Sequence, residues 1–280
     1  MIIQEQGDQF VLIRQTDHAV LSGFFAREWG NDLFTHPEPL GSFRLAAAEH
    51  DNGWAEWELL PRIDLSTFSP YTFMSIPTEE HIALYQRGLE RLIKADHYAA
   101  LLVSMHCASL YDRSRATLPG FSAKYVKSSE SHIVNEFVQR LRLQQLRLKV
   151  DLRGDAVTKD FVEDKPLQAN FQRFEALDRL SLYFCMAPLG DSTIDCVPVD
   201  DQSSETDWDI RPASPDTVTL SPYPFRRDPL QFGILARTIP KRRYADDLDL
   251  QKTLARAPYF AMNFTLRAGG ARVLSRAAGL

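Results

Sequence analysis

Cysteine is scarce: the 280-residue chain has three, Cys107, Cys185 and Cys196, with no CxxC spacing. That excludes a disulfide-built scaffold and fits a reducing compartment. No run approaches the roughly 18 apolar residues that a membrane-spanning helix needs. The opening stretch, MIIQEQGDQF, has neither a basic region nor an apolar core, so no secretory leader is expected. A basic excess is also missing. Lys and Arg number 32 against 37 Asp and Glu, a formal charge of −5, which argues against nucleic acid or an anionic membrane as partner. Internal repeats and low-complexity tracts are absent. The rest is an ordinary globular mix, 44% hydrophobic and 25% charged. The length suits one large domain or one plus an appendage, and the expected location is the cytoplasm.

Local patterning divides the chain near residue 188. Short β-like runs at 2–4 and 10–14 flank Gln6-Gly7-Asp8 as a hairpin. A helix capped by Thr16 follows, with Ala19, Val20, Leu21, Phe24 and Phe25 as its apolar face. A loop over 31–41 leads to a second helix over 42–50. Residues 58–77, rich in Pro, Ser and aromatics, read as an ordered loop with the character of a lid. Thr78 is placed to cap the next helix, where Ile82, Tyr85, Leu89 and Leu92 keep helical spacing. Residues 97–111 are apolar nearly all round and predict a buried helix. Further helices are predicted over 129–150 and 166–186. Beyond Met186 prolines punctuate the chain, and 217–221, 231–238 and 259–267 alternate like strands. The expectation is a helical domain over 1–188 and a β-rich extension over 189–280 packed on it.

The chemistry gathers around His50-Asp51-Asn52-Gly53-Trp54. His18 lies upstream, bordering the apolar stripe of the first helix. His81 and His106 lie downstream, His106 inside the most apolar helix. Asp178 sits on the stripe Leu167, Phe171, Phe174, Asp178, Cys185. An ionised carboxylate on such a face needs a cation, a hydrogen-bond cage or water, and a divalent metal supplies the cation directly. An anionic substrate needs donors, and the basic residues nearest the set are Arg44, Arg113, Arg115, Lys124, Lys127 and Arg179, with Lys124 and Arg179 foremost. Trp54, Trp57, Phe68, Tyr71 and Phe73 are candidates to line a cleft.

The order His…His-Asp…His…His…Asp resembles the HD-domain superfamily of metal-dependent phosphohydrolases, most of all its two-metal branch. HDNGW is similar to the HDxGK string of the HD-GYP phosphodiesterases, with Trp54 in place of the Lys, and EALDRLSLYF is similar to the helix that brings the closing Asp. The text also resembles an uncharacterised bacterial family of unknown function. The resemblance spans roughly residues 10–186. It implies a mainly α, HD-like helical bundle with a β-rich C-terminal extension, α+β overall. It implies a first metal held by His18, His50, Asp51 and Asp178, with Asp51 bridging to a second held by His81 and His106. The cofactor is then one or two divalent transition metals, Fe, Mn, Ni, Co or Zn, with Glu49 and Glu80 as candidate partners of the imidazoles by adjacency. The expected activity is hydrolysis of a phosphoester, with a nucleotide as one substrate class, by a metal-activated water with Asp51 as bridge or base. Lys124, Arg179 and Trp54 are the expected substrate contacts, and the expected partner is a small anionic substrate, with a homodimer as the assembly. Two alternatives stand beside it: a di-iron oxygenase of the inositol-oxygenase type, and a non-catalytic metal- or ligand-binding module.

Overall fold

The apolar run Phe10-Val11-Leu12-Ile13 shows how the chain folds. Alternate side chains of a strand point to opposite faces. Here Val11 and Ile13 enter one hydrophobic cluster while Phe10 and Leu12 enter another. The run is a strand buried on both faces, well inside a sheet. The computed structural model describes residues 1–111, 127–186 and 188–270.

A hairpin opens the chain: β1 (Ile2–Gln6) and β2 (Gln9–Ile13) joined by a two-residue turn, with Gly7 at φ 61°. Positive φ at the first turn position suits the strand twist and favours Gly. Then come helices α1 (Gln15–Glu28), α2 (Leu40–Glu49) and α3 (Ala55–Leu59), and the small ladder of β3 (Ile63–Asp64) with β4 (Ser69–Pro70). The helical stretch continues with α4 (Thr78–Ala95), α5 (His97–Ser109), α6 (Ser131–Arg153) and α7 (Asp164–Cys185). Last come β5 (Ser192–Pro198), β6 (Glu205–Ser214), β7 (Thr217–Ser221), β8 (Leu230–Pro240), α8 (Asp247–Arg256) and β9 (Tyr259–Ala268).

The seven long strands form one sheet in the order β1-β2-β8-β9-β7-β6-β5, antiparallel except for the β7–β9 pair. It curls into a half-barrel, and about 49% of the described residues are helical. This overturns the expected mainly α, HD-like bundle: the protein is α+β, with the sheet as a full partner of the helices. The reason is long-range pairing. β2 pairs with β8, Phe10 opposite Ile239 and Ile13 opposite Ala236, a contact that no local periodicity announces. The sheet thus draws strands from both ends of the described chain. Helix α8 falls where only strands were foreseen; its Leu250 and Leu254 cover the second cluster with Trp54, Trp57, Leu84 and Tyr244.

Two expected caps are also corrected. Helix α1 begins at Gln15, and the Gln15 N–H donates to Glu58 Oε1 at 2.6 Å, so a carboxylate 43 residues away caps it. The Thr16 hydroxyl instead donates to Glu58 Oε2. Thr78 is the first residue of α4 rather than its cap, and its hydroxyl donates to Glu130 at 2.8 Å. At the other end of α1, Glu28 accepts hydrogen bonds from both Arg226 and Arg227 of the β7–β8 connection. The larger cluster joins α1 and α7 to the inner face of the sheet through Phe25, Trp29, Phe184, Trp208, Val218 and Leu266.

Burial alone would raise the Glu28 carboxyl, but the two guanidinium groups outweigh it and hold it below its ordinary value. A carboxylate depressed in the fold stabilises above its unfolded value, about 4.3, and loses that contribution as pH falls through the folded value. Both arginines are more than half exposed, so water screens the pair. Glu28→Gln should therefore cost about 1 kcal/mol near pH 7 in urea unfolding, and the difference should start to shrink below about pH 4 and vanish only once pH passes below the depressed folded value. A difference that persists undiminished into acid would contradict this account.

Candidate metal centre

Four helices and one turn deliver the site. His18 lies on the buried face of α1. His50 directly follows α2 and keeps helical angles, φ −61° and ψ −29°, whereas Asp51 leaves them, at φ −105° and ψ 18°. That change at Asp51 turns two consecutive side chains toward one point. Gly53 has a packing task. A Cβ there would lie 2.0 Å from the Leu84 carbonyl oxygen of α4, so its bare Cα lets the turn lie on α4. Gly23 of α1 does the same against Ala48 of α2, where an added Cβ would meet the Ala48 Cβ at 2.5 Å. These close approaches bring the His18 and His50 Nε2 atoms within 3.1 Å of each other.

Asp178 comes from the buried stripe of α7. Its Oδ1 is 3.1 Å from His18 Nε2 and 3.3 Å from His50 Nε2; Asp51 Oδ2 is 3.5 Å from the first and 3.6 Å from the second. All four side chains are at most 3% exposed. A tetrahedral ion with bonds of about 2.0–2.1 Å has ligands roughly 3.3–3.4 Å apart, close to these His–His and His–carboxylate separations. His106 of α5 adjoins the set: it forms a second group of potential ligand atoms with His50 and Asp178, beside that of His18, His50 and Asp51.

The outer nitrogens fix which way the rings point. His50 Nδ1 faces the Ala47 carbonyl at 3.0 Å, which can only accept. His106 Nδ1 faces the Glu175 carboxylate at 2.6 Å. His18 Nδ1 is 2.7 Å from the Ser181 hydroxyl, which donates its own hydrogen to the Asp178 carbonyl and so accepts from the ring. Each Nδ1 therefore carries hydrogen, and in the neutral ring each Nε2 lone pair points inward. Two such lone pairs 3.1 Å apart, beside two carboxylates, demand a cation. Where protons alone serve, burial of the His18 ring opposes its charge, but hydrogen bonds to Asp178 and Asp51 raise it to about 9. Burial likewise works against ionised Asp178, yet the His18 and His50 bonds hold it well below the carboxylate range. Tyr85 completes the frame by donating to Asp51 Oδ1 at 3.0 Å.

The donors line a cavity of about 40 Å³ together with Gln15, Phe73, Met74, His81, Tyr85, Leu110 and Leu182. A water needs about 10–15 Å³ measured this way, so an ion and its waters fit. Residues 1–241 match the family model described as a protein of unknown function, DUF3891. The chain belongs to that family. No curated protein and no solved structure matches it. The matched region takes in every donor named above.

His18, His50, Asp51, His106 and Asp178 thus converge. His81 is buried and lines the cavity, but its Nδ1 is 2.6 Å from the Tyr111 hydroxyl and it joins neither group of potential ligands. Trp54 is fully buried against Trp57, His81 and Tyr85, outside the lining. Arg179 points toward β5, where it donates to the Thr193 carbonyl at 3.3 Å, also outside it. Lys124 falls outside the described residues, as do Arg113 and Arg115. Among the described residues the lining contains no Lys or Arg. Glu49 is exposed, and Glu80 binds Trp57 Nε1 and Arg62 rather than an imidazole. The partners that sequence reading missed, Glu175 and Ser181, stand three residues either side of Asp178. That helical spacing was the available signal.

Ser181 holds the ring that contacts both carboxylates, so its loss should loosen metal binding without unfolding the protein. Ser181→Ala is expected to weaken affinity for a divalent transition metal about 10- to 100-fold, read by competition against a chromogenic chelator. Unchanged affinity would remove Ser181 from this role.

Proposed function

We propose that this protein is a metal-dependent hydrolase of phosphoesters, with nucleotides as one substrate class, acting in the cytoplasm. The observation that carries the reading is the donor set: two buried imidazole nitrogens 3.1 Å apart, each 3.1–3.6 Å from a carboxylate oxygen of Asp51 and of Asp178, with the outer imidazole nitrogens already committed to acceptors. The order of these residues along the chain also resembles that of the HD phosphohydrolases, and the reading leans on that local order rather than on overall architecture.

His18, His50, Asp51 and Asp178 would hold one divalent ion, drawn from Fe, Mn, Ni, Co or Zn. A bound ion supplies a water of lowered pKa and neutralises charge developing on a phosphoryl oxygen. The chain's own residues do the rest. Ser181 and the Ala47 carbonyl fix the ring tautomers. Tyr85 steadies Asp51 by engaging its Oδ1, which leaves the first site better defined than a second one bridged through that carboxylate. His106, raised to about 9 because Glu175 outweighs the burial that opposes its charge, offers an anionic substrate a positive partner beside the ion. Free, buried Cys107 and Cys185 suit a reducing compartment.

Protein purified without chelator should carry close to one transition metal per chain. Asp51→Asn and Asp178→Asn should lose it while keeping the wild-type circular dichroism, and with it any activity on a panel of phosphomonoesters and phosphodiesters. A fully folded wild-type protein that takes up none of the five metals would refute the proposal.

A further inference from the structure

One polar group in the donor cavity has no task in the account so far. Gln15 is the first residue of α1, one helical turn before His18, and only 3% exposed. Its backbone N–H is held by Glu58 at 2.6 Å, which fixes where the side chain starts. The side chain lines the donor cavity. Its carbonyl oxygen is buried and accepts no hydrogen bond among the described residues. A buried acceptor left unpaired is costly. The neighbouring walls, Phe73, Met74, Leu110 and Leu182, are apolar and offer it nothing. A cation among the donors favours the amide's oxygen, rather than its NH₂, on that side.

We propose that Gln15 is a positioning residue whose Oε1 accepts a hydrogen bond from the water or hydroxyl group that occupies the centre, so that the site prefers proton-bearing ligands over proton-free ones. The inference rests on the metal reading above. An amide is not a base at neutral pH, so Gln15 removes no proton. It accepts a hydrogen bond from one hydrogen of the bound group and so sets how that group's lone pairs are directed. A ligand with no hydrogen puts its own lone pairs against Oε1 and leaves that oxygen unsatisfied.

Azide, which carries no proton, is the probe, and the visible bands of the Co(II)-loaded protein report its binding. Gln15→Leu and Gln15→Met remove the acceptor; Met keeps the length of the side chain in case Leu disturbs the start of α1. Gln15→Glu keeps an oxygen. Both acceptor-free variants should take up Co(II) in the same ratio as wild type but bind azide about fivefold more tightly, whereas Gln15→Glu should bind it no more tightly than wild type. Unchanged or weaker azide binding in Leu and Met variants that retain Co(II) overturns the role of Gln15 and leaves the metal reading standing. Wild-type protein that takes up neither Co(II) nor any of the other four metals overturns both.

Discussion

The structure depends on mutual repulsion relieved at one point. Two imidazole lone pairs lie 3.1 Å apart, and each is 3.1–3.6 Å from both of two buried carboxylates. Two ionised carboxylates carry −2, and neutral rings add nothing. A divalent ion brings that cluster to neutrality in one step, whereas protons need two imidazolium rings side by side to do the same. Uncompensated charge in an apolar interior is costly enough to oppose folding. Helices α1 and α7, the Asp51 turn and the end of α2 are therefore bound to one another through what they share at the centre.

The sheet has a part in this that a helical bundle would not need. His18 and Asp178 lie on α1 and α7, the helices that cover its inner face through Phe25 and Phe184. Helix α1 is held at its start by Glu58 from α3 and at its end by Glu28, Arg226 and Arg227. Both clamps are carboxylates buried from water, and each ties the helix to a different part of the chain. Rotating α1 to carry His18 away from Asp178 would break hydrogen bonds at both ends. The β-rich third of the chain thus helps to fix the site although the donors described here come from the helical part.

Much of the site was legible in the sequence because each cue was local. His50-Asp51 is a dipeptide, Asp178 interrupts an apolar stripe, and His106 sits in a helix apolar all round. Helical spacing alone also brings Glu175, Ser181 and Gln15 onto the faces that carry Asp178 and His18. The hairpin at the start of the chain and the main helices were legible for the same reason. The sheet was not. Pairing of Phe10 with Ile239 depends on chain closure across most of the molecule, and Phe10–Ile13 offers only a short apolar run compatible with an edge or a centre. Helix caps failed for a related reason. Local Thr residues looked sufficient, but the α1 cap came from Glu58, which is adjacent only in the folded state. Arg179 and Trp54 were chosen by nearness in sequence to a ligand, and on a helix or tight turn the next residue points elsewhere.

The size of the cavity limits what chemistry can reach the donors. About 40 Å³ accommodates an ion, a water and a few atoms of a ligand, so only the reacting end of any substrate enters. The wall around that end is largely apolar, with Phe73, Met74, Leu110 and Leu182, and among the described residues it carries no Lys or Arg. On the proposed reading, charge on an entering group would be met by the ion and by His106. In such a dry setting those interactions are stronger than they would be in water. Recognition of the remainder of a substrate falls to surfaces outside the cavity. If the proposed reading holds, variants of the donor ring would act on the chemical step and on metal retention, while choice among substrates would be governed elsewhere.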